Sequence, residues 1–282
     1  MKKYLSLVKF SHTIFALPFA LIGFIYGIDK IGSFSLLDFA LMLLCMVFAR
    51  NTAMAFNRFA DRDIDSLNPR TTSREIPSGQ ITERNALIFL IVNALLFIVT
   101  TYFLNTLAFY LSPVALFVIC GYSLTKRFTS LCHLVLGVSL AIAPTGAYIA
   151  ATSEFSLFAV MLSALVLFWV SAFDILYALN DEDFDREHSL HSIPQFFGRK
   201  GALTISLLLH LVAIAITILI GYLYLNTPLY YVGAAIFSLI LIYEHIVVKP
   251  EDISRVNLAF ATLNGTASIL YAIFTIIAIL WR

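Results

Sequence analysis

Two acidic runs carry the chemistry that this 282-residue sequence can support. In Asn57-Arg58-Phe59-Ala60-Asp61-Arg62-Asp63-Ile64-Asp65, the residues Asn57, Asp61 and Asp65 recur at every fourth position. On a helix that spacing puts three oxygen-bearing side chains on one face. Like charges so placed destabilise the helix unless a cation lies between them. Magnesium suits the position: it takes oxygen ligands and is usually held by one or two carboxylates together with substrate phosphate oxygens. In the second run, Asp174, Tyr177, Asp181 and Asp185 are three, four and four residues apart, again one helical face. Asp174 follows Phe168-Trp169-Val170-Ser171-Ala172-Phe173 inside an apolar stretch, and an ionisable residue at membrane depth reads as functional. Taken singly, Asp63, Glu182 and Asp183 read as water-exposed helix ends. The paired motifs read as one metal site with Asn57, Asp61, Asp65, Asp181 and Asp185 as ligands.

Cations suited to a diphosphate lie nearby. Arg70 and Arg74 belong to the loop Asn68-Pro69-Arg70-Thr71-Thr72-Ser73-Arg74, and Tyr122 precedes Lys126 by one helical turn. Arginine grips phosphate bidentately, whereas lysine offers a point charge. The same cations would equally orient a membrane protein, and position alone does not separate the two roles for Arg74 and Lys126. Arg84 and Arg127 read as orientation charges only. Arg50, one to two turns before Asn57 in an apolar stretch, needs an anion. That anion is either a carboxylate such as Asp174 or the carboxylate of a small aromatic acid. His12, His133, His188, His191, His210 and His245 show no ligand spacing and read as core or solvated residues. Asn257 and Asn264 read as contacts between helices. Cys45, Cys120 and Cys132 read as inert thiols.

The elements that must position these residues follow from composition. The chain is 60% hydrophobic and 12% charged, about half the charged fraction of a soluble domain. Its apolar blocks are long enough to cross a hydrocarbon core, which takes roughly 20 residues per helix. Nine spans are expected, centred on 12–29, 36–56, 86–104, 107–123, 132–151, 157–178, 202–222, 229–247 and 258–280. The fold class is therefore all-α, polytopic and embedded in a lipid bilayer. Met1-Lys2-Lys3 leads into an apolar block without a small-residue cleavage site, so the first span is expected to be retained.

Net charge is +1 and names no partner; no nucleic-acid partner is expected. With nine spans, Lys2, Lys3, Lys9, the 57–84 loop, Lys126, Arg127, Arg186, Arg199, Lys200, Lys249 and Arg255 fall on one side. Only Lys30 and Arg282 fall on the other. The positive-inside rule then puts the amino terminus in the cytosol. The two longer inner loops, 57–84 and 180–200, each follow an even-numbered span and each begins with acidic residues four apart. Residues 1–282 thus read as a single unit in which helices 1–4 and 5–8 repeat and a ninth is added. Pro18, Pro113 and Pro144 fall inside apolar spans, where kinks are expected.

At these residues the chain closely resembles the UbiA superfamily of intramembrane aromatic prenyltransferases. That family's first motif, Asn-x-x-x-Asp-x-x-x-Asp, is matched by Asn57, Asp61 and Asp65. Its second, Asp-x-x-Tyr-x-x-x-Asp-x-x-x-Asp, is matched by Asp174, Tyr177, Asp181 and Asp185. Its Tyr-x-x-x-Lys is matched by Tyr122 and Lys126. Family members carry a basic residue where Arg74 stands, and those using a hydroxybenzoate carry an arginine where Arg50 stands. The resemblance implies nine helices around a central cavity, two magnesium ions between the motifs, and diphosphate-binding roles for Arg74 and Lys126. Lys9-Phe10-Ser11-His12-Thr13 and Leu190-His191-Ser192-Ile193-Pro194 look most like 4-hydroxybenzoate polyprenyltransferase-like proteins, some of which serve a menaquinone route.

The resulting expectation is magnesium-dependent transfer of a polyprenyl group from polyprenyl diphosphate to an aromatic acid in quinone biosynthesis. The site would lie at the cytosolic face of a bacterial inner membrane. A hydroxynaphthoate acceptor is the alternative within this class. Outside it, Asp174 and Arg50 would suit an ion- or proton-coupled transporter. The charges stop about one-third of the way across the membrane, which favours a one-sided pocket.

Overall fold

The computed structural model describes residues 2–8 and 15–281; the Lys9–Thr13 phrase, His12 and Arg282 lie outside them. Helix is the only extended regular structure among the described residues. In chain order the helices are α1 (Lys2–Leu7), α2 (Leu17–Ile31), α3 (Leu36–Ala60), α4 (Arg62–Leu67), α5 (Glu83–Leu104) and α6 (Thr106–Thr125). There follow α7 (Cys132–Thr152), α8 (Leu157–Ala178), α9 (Glu182–Glu187), α10 (Ile193–Tyr224), α11 (Pro228–Val247) and α12 (Asn264–Leu280), the last preceded by a π-helical turn, Leu258–Leu263. Eight helices among the described residues are long and apolar enough to cross a membrane. The described part of the first expected span is α2, 15 residues long.

Polar side chains set the helix ends. Ser35, Thr82, Asn105, Ser192 and Thr227 each accept a bond from a backbone N–H three residues on, satisfying donors that a helix start leaves orphaned. Pro18 stands in the first turn of α2, where its missing N–H costs nothing, so the kink expected there does not arise. α10 starts at Ile193, well before the expected 202, because Ser192 caps a short segment that Gly198 joins to the spanning part through a positive φ of 66°.

Much of the outer surface is apolar. Phe117 is 79% exposed, and Leu95, Tyr222 and Leu239 are exposed too. Contiguous apolar surface on this scale suits lipid, not water. The interior is built around α8. Its most apolar stretch is 61% buried, against 17% in α3, α5 and α6, so it is the most enclosed of the eight spans. Phe158, Leu162, Leu165, Val166, Trp169 and Val170 of α8 are fully buried and join Phe19, Phe237 and Tyr271 in the main core. Small residues bring the helices together. A Cβ on Gly137 of α7 would lie 2.3 Å from Ser171 Oγ and 2.5 Å from the Leu167 carbonyl oxygen on α8. The second acidic motif thus grows from the most enclosed helix.

Candidate active site

Both acidic motifs straddle a helix break at their middle aspartate. α3 stops at Ala60, Asp61 takes φ −94° and ψ 6°, and the six-residue α4 continues in a new direction. α8 stops at Ala178, a 3-10 turn follows, Asp181 takes φ −111° and ψ 5°, and the six-residue α9 continues. Both aspartates occupy the bridge region of backbone space. The single helical faces expected from spacing are therefore bent. Asn57 still reaches Asp61, its Nδ2 donating to Oδ2 at 2.9 Å.

Each carboxylate meets a permanent cation. Arg127 lies 3.2 Å from Asp61, Arg74 2.6 Å from Asp65 and Lys126 2.7 Å from Asp185. Arg70 grips Asp181 bidentately, with Nε to Oδ1 at 2.9 Å, and also donates to the Tyr177 hydroxyl at 3.0 Å. Each motif takes one cation from the 68–82 loop and one from the end of α6. Such pairing is what burial demands, since Asp65 and Asp185 are 5% and 0% exposed. Burial, then the neighbouring Asp65 charge, raises the Asp61 pKa, and Arg127 opposes that. Burial alone would lower the Lys126 ammonium, but Asp185 turns its net shift upward.

Two chambers meet here. The smaller, about 220 Å³, is lined by Asn57, Asp61, Asp65, Arg70, Arg74, Lys126, Arg127 and Asp181. The larger, about 730 Å³, is walled mainly by apolar side chains and carries Arg50. Asn57, Arg74, Tyr122, Leu136, Asp174 and Tyr177 line both. Asp185 lines neither and reaches the site through Lys126. Phe260, from the π-helical turn, stacks on Tyr177 with ring centroids 4.2 Å apart.

The donor set fits magnesium. It is all oxygen, and the buried Asp65 Oδ2 has no hydrogen-bond partner. No three His, Cys, Asp or Glu side chains among the described residues form a ready cage. Magnesium does not need one, because substrate phosphates complete its shell.

Sequence reasoning missed two members. Arg127, read as an orientation charge, pairs with Asp61; its position beside Lys126 at a helix end was the available signal. His133, read among the core or solvated histidines, is 3% exposed and bonds Asp174 Oδ2 through Nδ1 at 2.7 Å. That contact crosses from α7 to α8 and leaves no local trace. Asp174 thus has His133 as a partner. Glu182 is also no exposed helix end: it is 7% exposed and holds Arg186 and Arg199. Asn264 does bridge helices, accepting from Trp169 Nε1 at 2.6 Å, whereas Asn257 is exposed.

Apolar helices around a charged chamber joined to an apolar one define an integral membrane protein. A model of the UbiA prenyltransferase family matches residues 16–279, and the chain belongs to that family. It is accordingly a prenyltransferase, which sets the transporter alternative aside. A protein of Tolumonas auensis named 4-hydroxybenzoate octaprenyltransferase is 31% identical over 243 residues, 86% of this chain and 84% of that one. The structure of a UbiA homolog from Aeropyrum pernix superposes with a TM-score of 0.81 at 34% identity, covering 95% of this chain and 97% of the other. A UbiA homolog from Archaeoglobus fulgidus, bound to DMAPP and Mg2+, shares the fold with a TM-score of 0.75 at 21% identity, over 99% of this chain and 100% of its own.

Proposed function

We propose that this enzyme transfers a polyprenyl group from polyprenyl diphosphate to an aromatic acid of the 4-hydroxybenzoate type, at the cytosolic face of a bacterial inner membrane, within quinone biosynthesis. The observation that carries the reading is the junction of the two chambers. A polyprenyl diphosphate has a charged head and a long apolar tail, and the paired chambers match both. The names of the curated relatives support the acceptor class. The similar breaks at Asp61 and Asp181 support the reading of residues 1–282 as one unit with an internal repeat.

Asn57, Asp61, Asp65 and Asp181 would hold magnesium, with Asp185, expected as a further ligand, acting through Lys126. When bound, the metal supplies neutralisation of the charge that builds on the leaving diphosphate. Arg70, Arg74, Lys126 and Arg127 bind the diphosphate oxygens, aimed where charge develops. The allylic C–O bond breaks with its electron pair going to the diphosphate. Tyr122 and Tyr177 line both chambers where they join and exclude water from the allylic cation. Arg50 binds the acceptor carboxylate and turns the ring so that the carbon ortho to its hydroxyl attacks. That carbon then loses its proton, restoring aromaticity.

The test is direct. Purified enzyme with magnesium and geranyl diphosphate should prenylate hydroxybenzoates, with products identified by mass spectrometry. Asp181→Ala should give no product while remaining folded, as judged by its helical circular dichroism. Hydrogen bonds to charged groups contribute about 1.5–3 kcal/mol, so Arg50→Ala should raise the acceptor KM by roughly 10- to 100-fold. Product from hydroxynaphthoates alone would move the acceptor to that class, and full activity in EDTA would remove the metal.

A further inference from the structure

We infer that His133 is a positioning residue that aims Asp174, so that Asp174 takes the ring proton at the end of the transfer. This rests on the prenyl transfer proposed above and assigns the proton that the reaction must remove.

The ring of His133 is buried and both its nitrogens are engaged. The backbone N–H of Ile193 donates to Nε2 at 3.2 Å, so Nε2 carries a lone pair. A neutral imidazole has one donor and one acceptor nitrogen, which puts the proton on Nδ1. Nδ1–H therefore donates to Asp174 Oδ2 at 2.7 Å. A backbone group on the segment after the second acidic motif thus sets the tautomer that faces Asp174. The His191 N–H donates to the Lys126 carbonyl oxygen at 2.7 Å and helps fix that segment.

Asp174 differs from the other site carboxylates in two ways. Asp61, Asp65, Asp181 and Asp185 face arginine or lysine and are engaged by those cations. Asp174 faces the His133 ring N–H, which orients a carboxylate that lines both chambers. It is also the one carboxylate, among the described residues, that lines the apolar chamber. An arenium ion formed in that chamber is shielded from water, and its proton needs an acceptor on the protein.

The step balances. The new C–C bond takes a ring electron pair. The C–H bond on the same carbon then breaks, its electrons return to the ring, and the proton passes to the free oxygen of Asp174. Asp174 also lines the polar chamber, through which the proton leaves as product departs.

The experiment compares wild type, His133→Ala and His133→Asn in the full-length enzyme, using acceptor with protium or deuterium on the carbon ortho to the hydroxyl. General-base catalysis contributes about 10²-fold or more, so His133→Ala should lower kcat by about that factor with donor KM unchanged. Proton removal should become rate-limiting, and a primary isotope effect on kcat that is small in wild type should appear. His133→Asn, whose amide N–H can replace Nδ1–H, should recover much of kcat. Nitrogen NMR of histidine labelled in the ring, assigned by its loss in His133→Asn, should show a neutral ring protonated on Nδ1. This measurement on wild type stands even where His133→Ala does not fold. An unchanged kcat in His133→Ala, a loss without an isotope effect, or a ring protonated on Nε2 overturns the inference. Wild type that prenylates no hydroxylated aromatic acid overturns the parent reading instead.

Discussion

Asp61, Asp65, Asp181 and Asp185 face Arg127, Arg74, Arg70 and Lys126, four negative against four positive charges. That balance constrains what can bind. A dication alone would draw the carboxylates and strand the cations; a diphosphate alone would do the reverse. Supplied together, they give every charge a new partner. Magnesium and diphosphate should therefore bind cooperatively. Coupling between sites is typically about 5- to 150-fold, so a non-hydrolysable prenyl diphosphate analogue should tighten magnesium at least roughly tenfold by calorimetry. Equal magnesium affinity with and without the analogue would refute this account. The aspartates were legible in the sequence because four-residue spacing is a one-dimensional signal. The pairing was not, because Arg70 reaches Asp181 across 111 positions and His133 reaches Asp174 across 41. Arg127 stands beside Lys126 where Arg84 has no such neighbour, but that difference does not say that Arg127 meets Asp61.

At the level of elements, the spans read from hydropathy lie close to α3, α5, α6, α7, α8 and α11, since each apolar block ends where polar caps begin. The breaks at Asp61 and Asp181 were invisible, because four-residue spacing describes a continuous helix as well as a bent one. The contact between α7 and α8 was also hidden. It depends on Gly137, whose Cβ-free backbone lets the helix carrying His133 approach the helix carrying Asp174. Gly137→Leu should push them apart. Overpacking costs about 1–3 kcal/mol, and the variant should melt at lower temperature in detergent with prenyl transfer falling in step. An unaltered melting temperature would mean that the two helices are not held by this approach.

For the whole molecule, the positive-inside asymmetry gives a sidedness that can be measured. In a cysteine-free background, Ser78→Cys should react with a membrane-impermeant maleimide only after cells are opened, whereas Asn226→Cys should react in intact cells. The reverse pattern would put the site on the outer face. The all-helical membrane class was legible because composition alone decides it, whereas the way the chambers join depends on packing that only three dimensions reveal. The burial of α8 has a consequence in time. As the most buried of the eight spans, α8 has the least lipid contact of its own, and α10 and α12 are made after it. During synthesis α8 must wait in the membrane until they arrive, so the second acidic motif reaches its final place only when the chain is nearly complete. Errors far downstream in the message would then be felt at the site as failures of assembly.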